Sequence, residues 1–271
     1  MAAGVFLADG AQPKFSGKFS LQIYSLRREA KKDLPATLAL IRKFGITEVE
    51  VSDLYGRSAR EFRRLLDQEG LKATSMMAAH GQLTGEIQVV ANNARTIGAA
   101  YVVCSTIPHR KHLTAQDCHK AIHDFNRWGK VLAESKLRLC YHTHGVEFGP
   151  SAEGTLFDTL VKGTDPKFVN YEMDIFWIVF AHHDPVKLLH KYPGRFPLMH
   201  VKDIRKDTPL GGSPGDVLEE ASVILGQGLV DIPSTLRAAQ ATGVRHYYIE
   251  DEAVNAAEQI PKSLRYLDSL R

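Results

Sequence analysis

From Phe19 onward, short dense hydrophobic runs alternate with longer stretches whose apolar residues recur every three or four positions. The first pattern is that of buried strands and the second that of amphipathic helices. The runs Phe19 to Tyr24, Thr47 to Val51, Leu71 to Met76, Ala100 to Cys104, Leu137 to His142, Phe168 to Met173, Phe196 to Val201 and Arg245 to Glu250 predict eight strands. Asp33 offers an N-cap for a helix carrying Leu34, Leu38 and Ile41, with a stop at Gly45. Ser58-Ala59-Arg60-Glu61 has capping-box spacing before a second helix that ends at Gly70. Further helices are predicted over Gly85 to Gly98, Thr114 to Ser135, Gly154 to Lys162, Asp184 to Tyr192, Asp231 to Thr242 and Ala253 to Leu270. Strands alternating with helices make a parallel sheet covered on its outside. Eight such units in one run predict closure into a single (β/α)8 TIM barrel over residues 19–271.

Composition narrows the partners. The 271 residues are 44% hydrophobic and 24% charged with a net charge of +3, and the basic residues are dispersed among acidic ones. No basic face for nucleic acid and no apolar run for a membrane emerges. A small-molecule substrate and a homo-oligomer are both compatible with this balance. Cys104, Cys118 and Cys140 form no C-x-x-C pair, and an odd count argues against a disulfide framework. Residues 1–18 read as a flexible tail or the remnant of a trimmed export signal, because Met1 to Gln12 is small, apolar and free of Lys and Arg. The location is accordingly cytoplasmic or, with such a signal, periplasmic or secreted. The connection from Asp203 to Gly228 is long and rich in Gly and Pro, and it follows a strand, so it reads as a lid or a surface insertion.

In a barrel of this kind the chemistry gathers at the C-terminal ends of the strands. Those ends carry Gln22, Tyr24, Glu50, His80, His142, His144, Glu147, Asp174, His200, Lys202 and Glu250. His142, Asp174, His200 and Glu250 come from four consecutive strands and make a candidate metal quartet. Mixed imidazole and carboxylate ligands suit Mn²⁺, Co²⁺, Fe²⁺ or Zn²⁺. Lys202 could neutralise an oxyanion or pair with Asp203, and Trp177 could stack on a sugar or belong to the core. His119 and His123 lie four apart, but Lys120 stands where a zinc-protease glutamate would, so they read as an exposed helix face. Gly226-Gln227-Gly228 before the Asp231 helix start resembles a phosphate-binding turn without its third glycine.

Leu21-Gln-Ile-Tyr-Ser-Leu-Arg27, Leu139-Cys-Tyr-His-Thr-His-Gly-Val-Glu-Phe148, Glu172-Met-Asp174, His200-Val-Lys-Asp203 and Gly226-Gln-Gly-Leu-Val-Asp231 together resemble the sugar phosphate isomerase/epimerase family with the xylose-isomerase-like barrel. The resemblance implies one divalent metal, manganese first, held by Asp174, His200, Glu250 and a fourth ligand on strand five. It implies an isomerase or epimerase acting through an enediolate on a sugar or sugar derivative. His142 departs from the pattern, which has glutamate there as the second proton-exchanging carboxylate. Glu250 then stands as the remaining carboxylate base, with Glu147 or His144 to supply the missing one and Lys202 to assist. Substrate contacts fall to Gln22, Tyr24, Glu50, His80 and Trp177. The departure supports a second reading, a keto-sugar lyase or dehydratase such as a 3-keto-glycoside-cleaving enzyme, which needs only one base. A non-catalytic carbohydrate-binding barrel is the reading outside enzymes.

Overall fold

The computed structural model describes residues 14–212, 217 and 219–271. Eight strands, β1 Phe19–Gln22, β2 Glu48–Val51, β3 Lys72–Ala78, β4 Tyr101–Cys104, β5 Arg138–His142, β6 Val169–Asp174, β7 Leu198–Val201 and β8 His246–Ile249, close into a parallel barrel in chain order. β1 pairs with both β2 and β8, which seals the ring. The outer layer comprises α1 Leu34–Lys43, α2 Ala59–Gln68, α3 Ile87–Ile97, α4 Ala115–Glu134, α5 Leu156–Gly163, α6 Pro185–Lys191, α7 Ile232–Thr242 and α8 Ala256–Asp268. The predicted barrel is therefore present, and its helix starts follow the local chemistry. Asp33 Oδ1 accepts from Ala36 N at 2.9 Å, and Ser58 and Glu61 form the reciprocal capping box. Three short helices, Arg27–Lys32, His80–Gly85 and Ile175–Phe180, follow strand ends and lie outside the predicted set. They sit on runs too short for helical periodicity to register. Among the described residues no helix is long and apolar enough to cross a membrane.

The period-2 alternation of strands divides the barrel's residues into two groups. Outward residues such as Leu21, Val49, Tyr141, Tyr171 and Val201 join the main core under the helices. Inward residues Tyr101, Val103, Cys140, Leu198 and Tyr248 form a separate apolar floor. The three cysteines are free and buried. A register shift between β2 and β3 after Val49 sets Glu50 opposite Ser75. At that bulge Thr74 and Ser75 both bond the Tyr248 hydroxyl, at 2.7 and 2.9 Å. Above this floor the inward positions become polar.

The body of the barrel begins before the predicted boundary at residue 19. Phe15 is buried, stacked on Phe19 at 5.0 Å between ring centroids and edge-on to Tyr247 at 4.9 Å. The export-signal reading of Met1 to Gln12 lies outside the described residues.

Helix α4 approaches the start of β6 so closely that Gly129 has no room for a side chain. A Cβ there would lie 2.6 Å from the Phe168 carbonyl oxygen. Gly129→Val is expected to lower stability by about 1–3 kcal/mol through overpacking. Urea unfolding checks this, and an unchanged midpoint would contradict the close contact.

Candidate metal centre

Strand ends β5 to β8 bring His142, Asp174, His200 and Glu250 to one side of the barrel mouth, and all four are buried. Asp174 ends β6 and caps the Ile175–Phe180 helix, its Oδ1 accepting from Phe176 N at 2.9 Å and Trp177 N at 3.2 Å. Its Oδ2 is buried and has no hydrogen-bond partner. That oxygen lies 3.8 Å from His142 Nε2 and 3.8 Å from His200 Nδ1. His200 Nδ1 is in turn 3.2 Å from Glu250 Oε2. Ligands about 2.0–2.2 Å from a tetrahedral ion stand roughly 3.4 Å apart, so Asp174, His200 and Glu250 have the spacing of a coordination shell, with His142 alongside Asp174 and also grouped with Glu172 and His200. The orphaned Asp174 oxygen fits a cation ligand.

The electrostatics point the same way. Burial, then the neighbouring Glu250, pushes the Asp174 carboxyl up to about 7, with Lys202 opposing. Burial and the adjacent Glu50 raise Glu172 well above the usual carboxylate range. Burial opposes charge on His200, yet Glu172, Glu250 and Glu50 outweigh it and draw a proton onto the ring. A cavity this rich in carboxylate attracts positive charge, and a divalent ion would displace that proton.

Lys202 lies beside the quartet. It is 1% exposed, ion-pairs with Glu252, and sits 3.5 Å from Glu250 Oε2. Its Nζ lies over the rings of Phe176 and Trp177, at 4.8 and 5.3 Å from their centroids. Burial disfavours the ammonium, but Glu252 and Glu250 outweigh it and keep Lys202 charged. His144 stands above His142, with ring centroids 4.5 Å apart, and 6.2 Å from the Trp177 ring. Burial holds its imidazole down to about 4, so it is neutral at pH 7. The turn after it needs Gly145, with φ 91° and a would-be Cβ 3.0 Å from the Trp177 carbonyl oxygen.

Several expectations are corrected. Glu147 is turned out of the mouth. It is fully buried behind β5, bonded to the outward-facing Tyr141 hydroxyl and accepting from His144 N at 3.1 Å. Gln22 and Glu50 are both fully buried, Gln22 Nε2 donating to Glu50 Oε1 at 2.7 Å, and that oxygen lies 2.7 Å from His200 Nε2. His80 packs on α4, against Trp128 at 4.8 Å and 3.6 Å from Asp124. Tyr24 remains at the rim, 42% exposed, under the Arg27 guanidinium. Lys202 does not pair with Asp203. The Asp203 carboxylate instead accepts from the backbone N–H groups of Gly226, Gly228, Val230 and Ile204, at 2.8–3.0 Å. The apparent phosphate turn is thus filled by the protein's own anion. Glu172 was overlooked as a site residue, although its parity with Asp174 on one strand signals an inward position.

Residues 38–270 match the family described as xylose isomerase-like TIM barrel. The chain belongs to that family. Inosose dehydratase of Geobacillus kaustophilus is 25% identical to this family member over 192 residues, 63% of this chain and 62% of that enzyme, so less than two thirds of the relative is spanned. Among solved structures, a sugar phosphate isomerase/epimerase from Parabacteroides distasonis superposes with a TM-score of 0.76 at 21% identity, covering 92% of this chain and 97% of that one. An IolI protein with a bound zinc atom gives 0.73 at 14% identity, covering 93% and 97%. At these identities the superpositions speak for the fold alone.

Asp203→Asn puts an amide where N–H groups converge on a carboxylate. Charge-assisted bonds of this kind contribute about 1.5–3 kcal/mol each. The Gly226 and Gly228 amides are then expected to exchange hydrogen at least about tenfold faster. Unchanged exchange would mean that Asp203 does not anchor this turn.

Proposed function

We propose that this barrel is a divalent-metal-dependent lyase that eliminates water or an alcohol from a keto-sugar or keto-polyol, with His142, Asp174, His200 and Glu250 as the ligands. One observation carries the choice over an isomerase or epimerase. His142 holds the β5 position where the epimerase pattern has a carboxylate, and Glu147 is bonded to Tyr141 outside the mouth. Proton exchange between two opposed carboxylates is then unsupported, whereas elimination needs a single base. The inosose dehydratase relative is named for a loss of water, which supports the same reading. The zinc in the IolI structure supports a metal in a barrel of this shape, with Mn²⁺, Co²⁺ and Fe²⁺ also compatible with the ligand types.

When bound, such an ion polarises the substrate carbonyl and so acidifies the adjacent C–H. The remaining steps belong to the chain. His144, neutral and not one of the ligands, takes the proton beside the carbonyl on a ring nitrogen. It then returns that proton to the departing oxygen on the next carbon. Glu250 is kept as a ligand, its carboxyl held well below the usual range by Lys202 and His200 despite burial, the largest opposing effect. Lys202 Nζ, fixed by Glu252 and the two aromatic faces, stabilises negative charge growing on the substrate oxygen. Trp177, buried in the core, has its ring 6.2 Å from that of His144, and Tyr24 offers an exposed ring at the rim.

Incubation with a keto-inositol and a 3-keto-glycoside is expected to give a product lacking one molecule of water or alcohol. An epimer with no loss would return the isomerase reading. Asp174→Asn is expected to abolish metal binding while the fold survives, because a strand end and not the core is altered; full metal content would sink the ligand assignment. His144→Ala is expected to retain metal but lose about 10²–10⁴-fold in exchange of the substrate C–H with D₂O. Undiminished exchange would move the base to Glu250.

A further inference from the structure

Both imidazoles of the quartet span two layers of carboxylate. Toward the mouth they face Asp174 and Glu250, as described. Toward the barrel floor His142 Nδ1 lies 2.9 Å from Glu172 Oε2. His200 Nε2 lies 2.7 Å from Glu50 Oε1 and 3.3 Å from Glu172 Oε2. Glu50 is itself held, since Gln22 Nε2 donates to Glu50 Oε1 at 2.7 Å and also touches Met77 Sδ at 3.2 Å. Glu50 and Glu172 are both 0% exposed, so water does not compete for these contacts.

An imidazole that gives one nitrogen to a cation keeps a proton on the other. A carboxylate on that second nitrogen selects the tautomer, sets the ring plane and makes the ligand nitrogen more electron-rich. We propose that Glu172 and Glu50 are positioning residues that commit His142 Nε2 and His200 Nδ1 to the metal. The inference rests on the metal reading above and goes beyond it by assigning the floor layer. It also accounts for the departure at strand five. The quartet has two carboxylates, and Glu172 sets a third carboxyl group against the far nitrogen of the His142 ring. Glu172 and His142 should therefore act as a unit, and Glu172 should matter less once His142 is itself replaced by glutamate.

Cobalt titration followed by visible absorption tests this without reference to activity. Wild type is expected to bind one equivalent. Glu172→Gln and Glu50→Gln are expected to bind it about 10–100-fold more weakly, with an altered spectrum. In the His142→Glu background, adding Glu172→Gln is expected to change affinity by less than it does in wild type. In the zinc-loaded wild-type protein, ¹⁵N spectra should show protons on His142 Nδ1 and His200 Nε2, a readout that stands even where a variant fails to fold. Equal affinity and spectra across wild type and both glutamine variants would overturn the inference. So would protons on the opposite nitrogens. Two cobalt equivalents in wild type, falling to one in the glutamine variants, would overturn it in favour of a second cation site at the floor. Wild type that binds no divalent metal would fail the metal reading itself, a result distinct from equal binding by wild type and variants.

Discussion

Four carboxylates, Glu50, Glu172, Asp174 and Glu250, share two imidazoles and one ammonium inside the closed sheet, where water is excluded. Like charges held this close in a poorly polarisable interior raise one another's cost unless protons, hydrogen bonds or a cation intervene. The arrangement satisfies most of that demand by hydrogen bonding. Gln22 serves Glu50, the Ile175–Phe180 helix serves Asp174, and the two histidines bridge upper and lower carboxylates. What is left over is one oxygen each of Glu50, Glu172 and Asp174, buried without a partner. The Asp174 oxygen is the one set among His200 and Glu250 atoms at coordination spacing.

The surrounding scaffold keeps that point rigid on one side and shaped on the other. Thr143 ties β5 to β6, donating to Glu172 O at 3.4 Å and accepting from Asp174 N at 3.3 Å, so the His142 and Asp174 ends do not move independently. The helix capped by Asp174 presents Phe176 and Trp177 to Lys202, which places an aromatic wall and an ammonium beside the ligands. On the next connection Asp203 gathers the backbone of Gly226, Gly228 and Val230. Glu219 from the same connection pairs with Arg27 and Arg28 after β1. The described parts of the long segment after β7 are thus tied down at Asp203 and at Glu219.

The barrel was legible in the sequence because hydrophobic periodicity and helix caps are local properties. Asp33, Ser58 and Thr114 sit at the helix starts that their side chains predict, since a cap needs only the next three residues. The candidate quartet was legible for a related reason. Once eight strands are placed, their C-terminal ends must meet at one mouth, and His142, Asp174, His200 and Glu250 occupy those ends. The sequence by itself therefore determined the architecture, the polarity of the barrel and which polar side chains gather at its mouth.

Depth and direction were decided only by the tertiary structure. Glu50 and Gln22 are strand-end residues like the quartet, but Gln22 bonds Glu50 and Glu50 meets His200, a partnership across separate strands that no one-dimensional pattern records. Glu147 and His144 lie three residues apart on one turn, yet Gly145 swings the chain so that Glu147 meets Tyr141 behind the sheet and His144 stays over His142. Likewise Asp203 could have paired with its neighbour Lys202, but adjacent strand residues point to opposite faces. Lys202 faces inward to Glu250 and Glu252, while Asp203 faces the Gly226 turn. Local spacing fixes which residues share an element, whereas which charges meet depends on closure of the ring.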